Sequence, residues 1–398
     1  MSRSAEKDNS LATNRRSLSL LLVACALVCS ALWLYSGQGQ TLNLNDFLVY
    51  WSAGRQLALG GNPYSAPEVL TLERSIGYRK PTAFVLRNPP WTLPVVLPFG
   101  LLRFGTAQFC WLILGLLALL LSVYWLIPLN AAPGKDPPAG WIAAGLFVPA
   151  GVALAIGQIG PLVLLGIAGF LRFETAKRDL SAGAFLLLAA FKPHLLVPFW
   201  LAVTLWSIHS RRWRIIAGFL ATLLTASLAA YLIDHQAVGQ YVALWRQGEI
   251  VREFIPTLSG LILLAAGTSR YWLQFLPSVL AVVWLLGHWL RHREDWEWKE
   301  QIPILLLISL LATSYSFPFD QILLLPCVLQ IVARFNDARH GTVTAAAVSY
   351  IAINAVLLAF ILMHRTTFWY LWTIPAWLAW YMLVSRALRP ISRPELSS

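Results

Sequence analysis

Long apolar runs separated by short basic loops constrain this chain more than any other feature. About twenty consecutive apolar residues cross the hydrocarbon of a bilayer as one helix. Residues 17–35, 106–127, 215–233, 272–290, 343–363 and 368–384 read this way. A segment in lipid must satisfy its own backbone hydrogen bonds. The expected class is therefore an all-α polytopic membrane protein. Only 12% of the residues are charged, about half the share of a soluble domain. The 19 Trp suit the two interfaces, where an indole sits between lipid and water. A formal net charge of +12 does not point to nucleic acid, because the Lys and Arg lie in short loops and form no continuous groove. They follow the positive-inside pattern instead. Cys25, Cys29, Cys110 and Cys327 all lie in apolar runs without metal spacing and read as small buried hydrophobes.

Charge sets the expected topology. Residues 1–16 form a disordered cytoplasmic N-terminus, and 17–35 a retained first helix, since no small-residue cleavage motif is convincing; a cleaved signal peptide is the alternative. Residues 36–88 are the first extracytoplasmic loop. The proline-rich piece 89–102 is too broken for a regular span and reads as re-entrant or interfacial. Residues 141–156 and 161–173 form a pair that turns at Gly157-Gln158-Ile159-Gly160. A second pair, 180–191 and 194–206, is broken at Lys192-Pro193. Both pairs are short for spans of about twenty residues, so tilted or broken helices are expected. Residues 257–266 make a half-length piece, and 302–315 with 321–332 a hairpin whose tip is Ser316-Phe317-Pro318-Phe319-Asp320. Arg172, Arg178, Arg211, Arg214, Arg291, Arg334 and Arg386 mark the cytoplasmic side. The sum is about twelve crossings with both termini cytoplasmic. One transmembrane domain, 17–386, carries a short tail, 387–398, and the expected location is a cell membrane.

The stretch from Leu42 to Tyr64 opens the first loop. Asn45 or Asp46 can cap a helix that runs to Leu59, and Gly60-Gly61 then Asn62-Pro63 stop it. A second short helix is expected near 67–76. Asp46, Tyr50 and Gly54 share one face at i, i+4 and i+8, which sets a carboxylate beside a ring and a gap. By position alone Asp46 reads as a cap. Its company changes the reading. Asp46, Gln158, Lys192, His194, Asp234, His235, Arg252, Glu253, Asp320 and His364 all fall at outer ends of spans or in outer loops. Ionisable groups at membrane depth are costly, and broken backbone there survives only against protein or a watered cavity. One outward-facing cavity is expected, fit for acid/base chemistry on a polar substrate or for its transport. Each member also has a plainer reading: Lys192 can snorkel, Gln158 can satisfy its own turn, His194 and His364 can be interfacial hydrogen bonders, and Arg252-Glu253 a solvated pair. There is no HExxH and no spaced acidic cluster, so no metal signature stands out and divalent-metal dependence stays open; no glycine-rich loop leads into a helix, so a nucleotide cofactor is not expected.

These residues also carry a resemblance. The run from Asp46 to Gly54, the turn Gly60-Gly61-Asn62-Pro63-Tyr64 and Asn88-Pro89-Pro90-Trp91 resemble the first outer loop of glycosyltransferase family 87. That family includes the mycobacterial mannosyltransferases that extend phosphatidylinositol mannosides. Gly157-Gln158-Ile159-Gly160 and Ala182-Gly183 with Phe191-Lys192-Pro193 resemble two further family blocks. The likeness covers roughly residues 42–200. It implies the membrane-embedded GT-C fold and transfer of a hexose, mannose first, from a polyprenyl-phosphate sugar to a glycolipid or glycan acceptor, among membrane lipids and without nucleic acid. Asp46 would be the general base, with Asp320 as a second catalytic carboxylate where the family often has His. Tyr50, Arg55, Tyr64, Gln158, Lys192, His194 and Arg252 would bind substrate. The alternative is a transporter or lipid flippase, whose paired repeats are not evident in the sequence. A structural or assembly protein would not need the outer cavity.

Overall fold

A computed structural model of the chain describes residues 46–130, 138–246 and 254–388. The expected N-terminus and first span, Cys25, Cys29, Asn45, Arg252, Glu253 and the end of the tail lie outside the described residues. Among the described residues there is no strand; helices and turns make up the fold. In chain order the α-helices are α1 (Phe47–Ala58), α2 (Ala66–Ser75), α3 (Leu93–Gly100), α4 (Phe104–Asn130), α5 (Pro138–Gly145) and α6 (Val148–Ala155). Next come α7 (Gly160–Thr175), α8 (Asp179–Ala189), α9 (Val197–His209), α10 (Trp213–Ile233), α11 (Ala237–Arg246) and α12 (Leu258–Ala266). The last are α13 (Leu276–His292), α14 (Trp298–Ala312), α15 (Leu325–Ala333), α16 (His340–Leu362) and α17 (Thr373–Ala387).

Among the described residues, 5 helices are long and apolar enough to cross a membrane, or up to 7 if each of two bent pairs is one span. The chain is thus a membrane protein. The difference from the expected count of about twelve has a physical source in helix length. Helix α7 has 16 residues and α14 and α17 have 15 each, less than the run needed to cross upright. The two expected short pairs fold differently. Helices α5 and α6 bend by 52° ahead of Pro149, whereas α8 turns through 120° at Lys192-Pro193 into a 3-10 turn and α9. Proline supplies no N–H to the ladder, so the helix can end there without losing a bond it would otherwise keep. Cys327 is buried as expected, but Cys110 is exposed on α4, whose outer face meets no protein.

From residue 46 onward the first long loop folds into helices and turns. Its helices α1 and α2 match the expected pair, and Gly60 takes a left-handed φ of 72° where α1 stops. The gap that Gly54 leaves beside Asp46 and Tyr50 is filled by α3. A Cβ on Gly54 would come within 2.3 Å of the Val96 carbonyl oxygen, and one on Gly100 within 2.0 Å of the Gly54 carbonyl carbon. Backbone meets backbone there, and the proline-rich piece earns its place as the partner of α1. At the far end of α7, Arg212 bonds the carboxylates of Glu174 and Asp179 and lies 5.0 Å over the Trp206 ring. That pins the α7–α8 turn to the α9–α10 turn.

Gly100→Ala should therefore lower the thermal unfolding temperature in detergent, by the equivalent of about 1–3 kcal/mol for an overpacked seam. Gly105→Ala, where an added Cβ meets nothing within 4 Å, is the control and should not lower it, since alanine at an open helical position stabilises by about 0.4–1 kcal/mol.

Candidate active site

Four pieces of interrupted backbone, far apart in sequence, meet at one end of the helices. They are the start of α1 at Asp46, the turn before α7 at Gln158, the break after α8 at Lys192, and the 3-10 turn Pro318–Leu324 at Asp320. The turn before α7 is gripped tightly. Gly157 sits at φ 74°, and a Cβ there would meet the Phe47 Cβ at 2.5 Å. The Phe47 N–H donates to the Ile156 carbonyl at 3.0 Å, and the Trp111 indole donates to the Gly157 carbonyl at 2.8 Å. Trp111 also stacks on the Tyr50 ring at 4.9 Å. These contacts deliver Gln158 to Asp46.

The polar side chains then form one line. Lys192 Nζ donates to Asp320 Oδ1 at 2.7 Å and to Gln158 Oε1 at 2.8 Å. Gln158 Nε2 donates to Asp46 Oδ2 at 2.5 Å, and the Tyr50 hydroxyl donates to Gln158 Oε1 at 3.2 Å. The amide has one workable orientation: an ammonium is only a donor, so it must face the oxygen, and the NH₂ is left for the carboxylate. Lys192 is 9% exposed and Asp320 2%, so their charges cancel in a place water hardly reaches. The other oxygen of Asp320 accepts the Phe317 N–H at 3.0 Å, and Lys192 also lies 5.2 Å from the centre of the Phe319 ring. Asp46 stands at the N-cap position, yet its carboxylate caps nothing in α1; it goes to Gln158. It is half-buried. Burial pushes its pKa up to about 6, tempered by the Gln158 hydrogen bond and by the Lys192 and Lys80 charges, while Asp320 raises it.

The structure thus brings together Asp46, Tyr50, Gln158, Lys192 and Asp320. The other expected members lie elsewhere or beside them. Arg55 Nη1 donates to the Gly100 carbonyl at 3.4 Å and serves the α1–α3 seam. The Tyr64 hydroxyl donates to the Asn88 carbonyl at 3.2 Å. The ring of His194 is exposed and faces Tyr315 at 6.0 Å. An open groove of about 470 Å³ lies on α11, lined by Val238, Gly239, Val242, Ala243 and Arg246; it touches none of the polar line. Among the described residues no three His, Cys, Asp or Glu side chains gather closely enough to hold a metal ion.

Two polar residues of the first long loop have roles that the sequence reading missed. Lys80, half-buried, acts on Asp46 through its charge and makes no ion pair among the described residues. Glu73 is 0% exposed, and both its oxygens accept the Phe84 N–H, at 3.2 and 3.1 Å. The available signal was position: Val69 and Glu73, one helical turn apart, are the buried residues of α2. Burial pushes the Glu73 pKa up to about 7.

Two stability measurements follow from these burials. Lys192→Met leaves Asp320 buried without its cation and should cost about 3–5 kcal/mol, much of it regained in the double variant with Asp320→Asn; unequal unfolding temperatures in that order are the expected result. For Glu73 the sign runs with acid. Between its unfolded pKa near 4.5 and about 7 the folded chain holds a proton that the unfolded chain has released, so stability falls as pH rises through that window. Glu73→Gln should match the wild type near pH 4 and exceed it above about pH 7, by on the order of 1–3 kcal/mol.

A sequence model of glycosyltransferase family 87 matches residues 84–314. The match includes Gln158 and Lys192, and it leaves Asp46 and Asp320 on either side. No curated protein and no solved structure matches the chain. Residues 84–314 are more than half of the 398, and the chain therefore belongs to glycosyltransferase family 87.

Proposed function

We propose that this glycosyltransferase moves a hexose from a polyprenyl-phosphate carrier to an acceptor hydroxyl, with Asp46 as the general base. The observation that carries the reading is the line Asp46–Gln158–Lys192–Asp320, which joins four segments at one end of a membrane protein. A base of pKa about 6 is mostly ionised near neutrality and still has affinity for a proton, as acid/base catalysis needs. The acceptor hydroxyl gives its proton to Asp46 as its oxygen attacks the anomeric carbon. The bond from that carbon to the phosphate oxygen breaks, and the carrier phosphate leaves with the electron pair. Displacement from the opposite face inverts the anomeric centre. Charge builds on the leaving phosphate, and we assign its stabilisation to Lys192 and Lys80. Asp320 holds Lys192, and Gln158 transmits its position to Asp46.

The resemblance to the mycobacterial enzymes supports mannose as the sugar, and a glycolipid or glycan as the acceptor. A lipid carrier keeps the donor in the bilayer, which accounts for a site without nucleotide machinery. The basic loops support the extracytoplasmic face of the inner membrane for the site, both termini in the cytoplasm, and a GT-C-like helical bundle. His194 is assigned to the sugar, and Tyr50, buried and donating its hydroxyl to Gln158, is assigned to orienting that amide. Arg55, Tyr64 and Arg252 retain substrate contact only as assignments of the resemblance.

The test uses purified full-length protein with a labelled polyprenyl-phosphate mannose and a bacterial lipid extract as acceptor pool. Labelled glycosidic product is expected, and Asp46→Asn should lower its rate by about 10²–10⁴-fold. The wild-type rate should fall as pH drops through about 6, because protonated Asp46 cannot accept the hydroxyl proton. Full transfer by Asp46→Asn removes Asp46 as base. Gradient-driven uptake with no glycosidic product identifies a transporter instead.

A further inference from the structure

We propose that Asn88 and Trp91 are positioning residues for Lys192, and that the blocks Gly60–Tyr64, Asn88–Trp91 and Phe191–Pro193 are one hydrogen-bonded device that sets where the lysine ammonium stands. The proposal rests on the reading of Lys192 as part of the active site.

The problem the device solves is local. Helix α8 stops at Ala189 and the chain turns through 120°. Pro193 has no N–H, so the carbonyls at the end of α8 lose a helical donor where the chain is packed against protein. An unpaired buried carbonyl costs about as much as a lost hydrogen bond. Two side chains of the first long loop supply the donors. Trp91 Nε1 donates to the Ala190 carbonyl at 2.9 Å, and Asn88 Nδ2 to the Phe191 carbonyl at 2.7 Å. The Lys192 carbonyl accepts the Leu195 N–H at 3.2 Å, and the His194 carbonyl accepts the Thr313 hydroxyl at 3.1 Å. Carbonyls on both sides of Lys192 are therefore held by donors from other parts of the chain.

The donors are themselves fixed. Pro89 and Pro90 stiffen the backbone between Asn88 and Trp91, and Thr92 closes that turn with bonds to the Pro89 carbonyl at 2.9 Å from its N–H and 2.6 Å from its hydroxyl. The Tyr64 hydroxyl donates to the Asn88 carbonyl at 3.2 Å. Tyr64 is set in turn by the Asn62 side chain, which accepts the Tyr64 N–H at 2.8 Å, and the Asn62 N–H goes to Glu68 at 2.9 Å. Asn88 is 9% and Tyr64 3% exposed, so water does not compete for these bonds. A lysine on a flexible stem reaches Asp320 and Gln158 together only if its Cα is placed for both. The clasp places it.

Trp91→Phe keeps a ring and deletes only the N–H; Asn88→Ala deletes the second donor. Two readouts separate positioning from plain folding. The first is acylation of Lys192 by an amine-reactive reagent in the purified full-length protein, followed by peptide mass spectrometry. Buried Lys192 should label slowly in the wild type and about tenfold faster in either variant; unchanged labelling in both overturns the proposal. The second is a double-mutant cycle on transfer rate. Trp91→Phe should cost about tenfold alone and little in a Lys192→Gln background, because the two act through one group. It should also move the acid limb of the rate upward in pH, since a displaced ammonium no longer lowers the proton affinity of Asp46. Costs that simply multiply, with the acid limb unmoved, overturn it as well. The labelling arm does not depend on the reaction. Labelling that responds while Asp46→Asn stays active leaves the clasp standing and removes the proposed base; unchanged labelling with Asp46→Asn inactive does the reverse.

Discussion

An ammonium taken out of water must find an anion close by, and in this protein Lys192 finds Asp320 at 2.7 Å. Much of the site depends on that pairing. Desolvating two charges is repaid only when geometry is good and the remaining donors and acceptors are satisfied. Here the second oxygen of Asp320 takes a backbone N–H from its own turn, and Lys192 has the Gln158 oxygen as a further acceptor. The pair has no net charge, and its members act on Asp46 in opposite senses, Lys192 lowering its proton affinity and Asp320 raising it. What it leaves over is the Gln158 amide, turned so that its NH₂ meets Asp46. A neutral buried pair thus orients a carboxylate that no cation touches directly, and that carboxylate keeps a raised proton affinity. A carboxylate fixed this way is held in place without being neutralised by a salt bridge of its own.

Interrupted helices are what make such a cluster possible. A continuous helix in a bilayer uses up its backbone groups and shows the neighbours only side chains. Ends and kinks release N–H and C=O groups and let side chains converge from several directions. The turn at Gly157, the break at Lys192-Pro193 and the 3-10 turn at Pro318 lie together; side chains from elsewhere satisfy the first two, and Asp320 ties the third to Lys192. The first long loop serves the same purpose. Its α1 is seated on α3 through Gly54 and Gly100, its Phe47 is tied to Ile156, and its Asn88 and Trp91 reach the end of α8. Far from being a lid over the helices, it is built into their interrupted ends.

Much of this was legible before any coordinates. Hydropathy established the membrane class, because apolar length has one physical use at this scale. Glycine and proline marked the breaks at 157 and 193, since their backbone chemistry acts locally. The carboxylate of Asp46, the amide of Gln158, the ammonium of Lys192 and the carboxylate of Asp320 were each singled out as costly groups at span ends. Other features were not legible. The space beside Gly54 reads as a gap from one helix and is filled by another. Arg55 looks free for a substrate and bonds the Gly100 carbonyl. Glu73, on a short helix of the first long loop, has no mark in the sequence that sets it apart and is fully buried. Helices of 15 and 16 residues cannot be told from spans by hydropathy alone, because tilt and bending are decided by neighbours.

What the sequence determined by itself is therefore the solvent, the element type and the places where elements break, all of which follow from local chemistry summed along the chain. It also marked which polar residues had no cheap explanation. Pairing was decided by tertiary structure alone. Lys192 and Asp320 are 128 residues apart, and Asp46 and Gln158 112 apart. Only the packing of α1, α7, α8 and the 3-10 turn around a shared end brings them within hydrogen-bond reach. Local sequence carries the cost of each buried polar group, but the partner that offsets it comes from elsewhere in the fold.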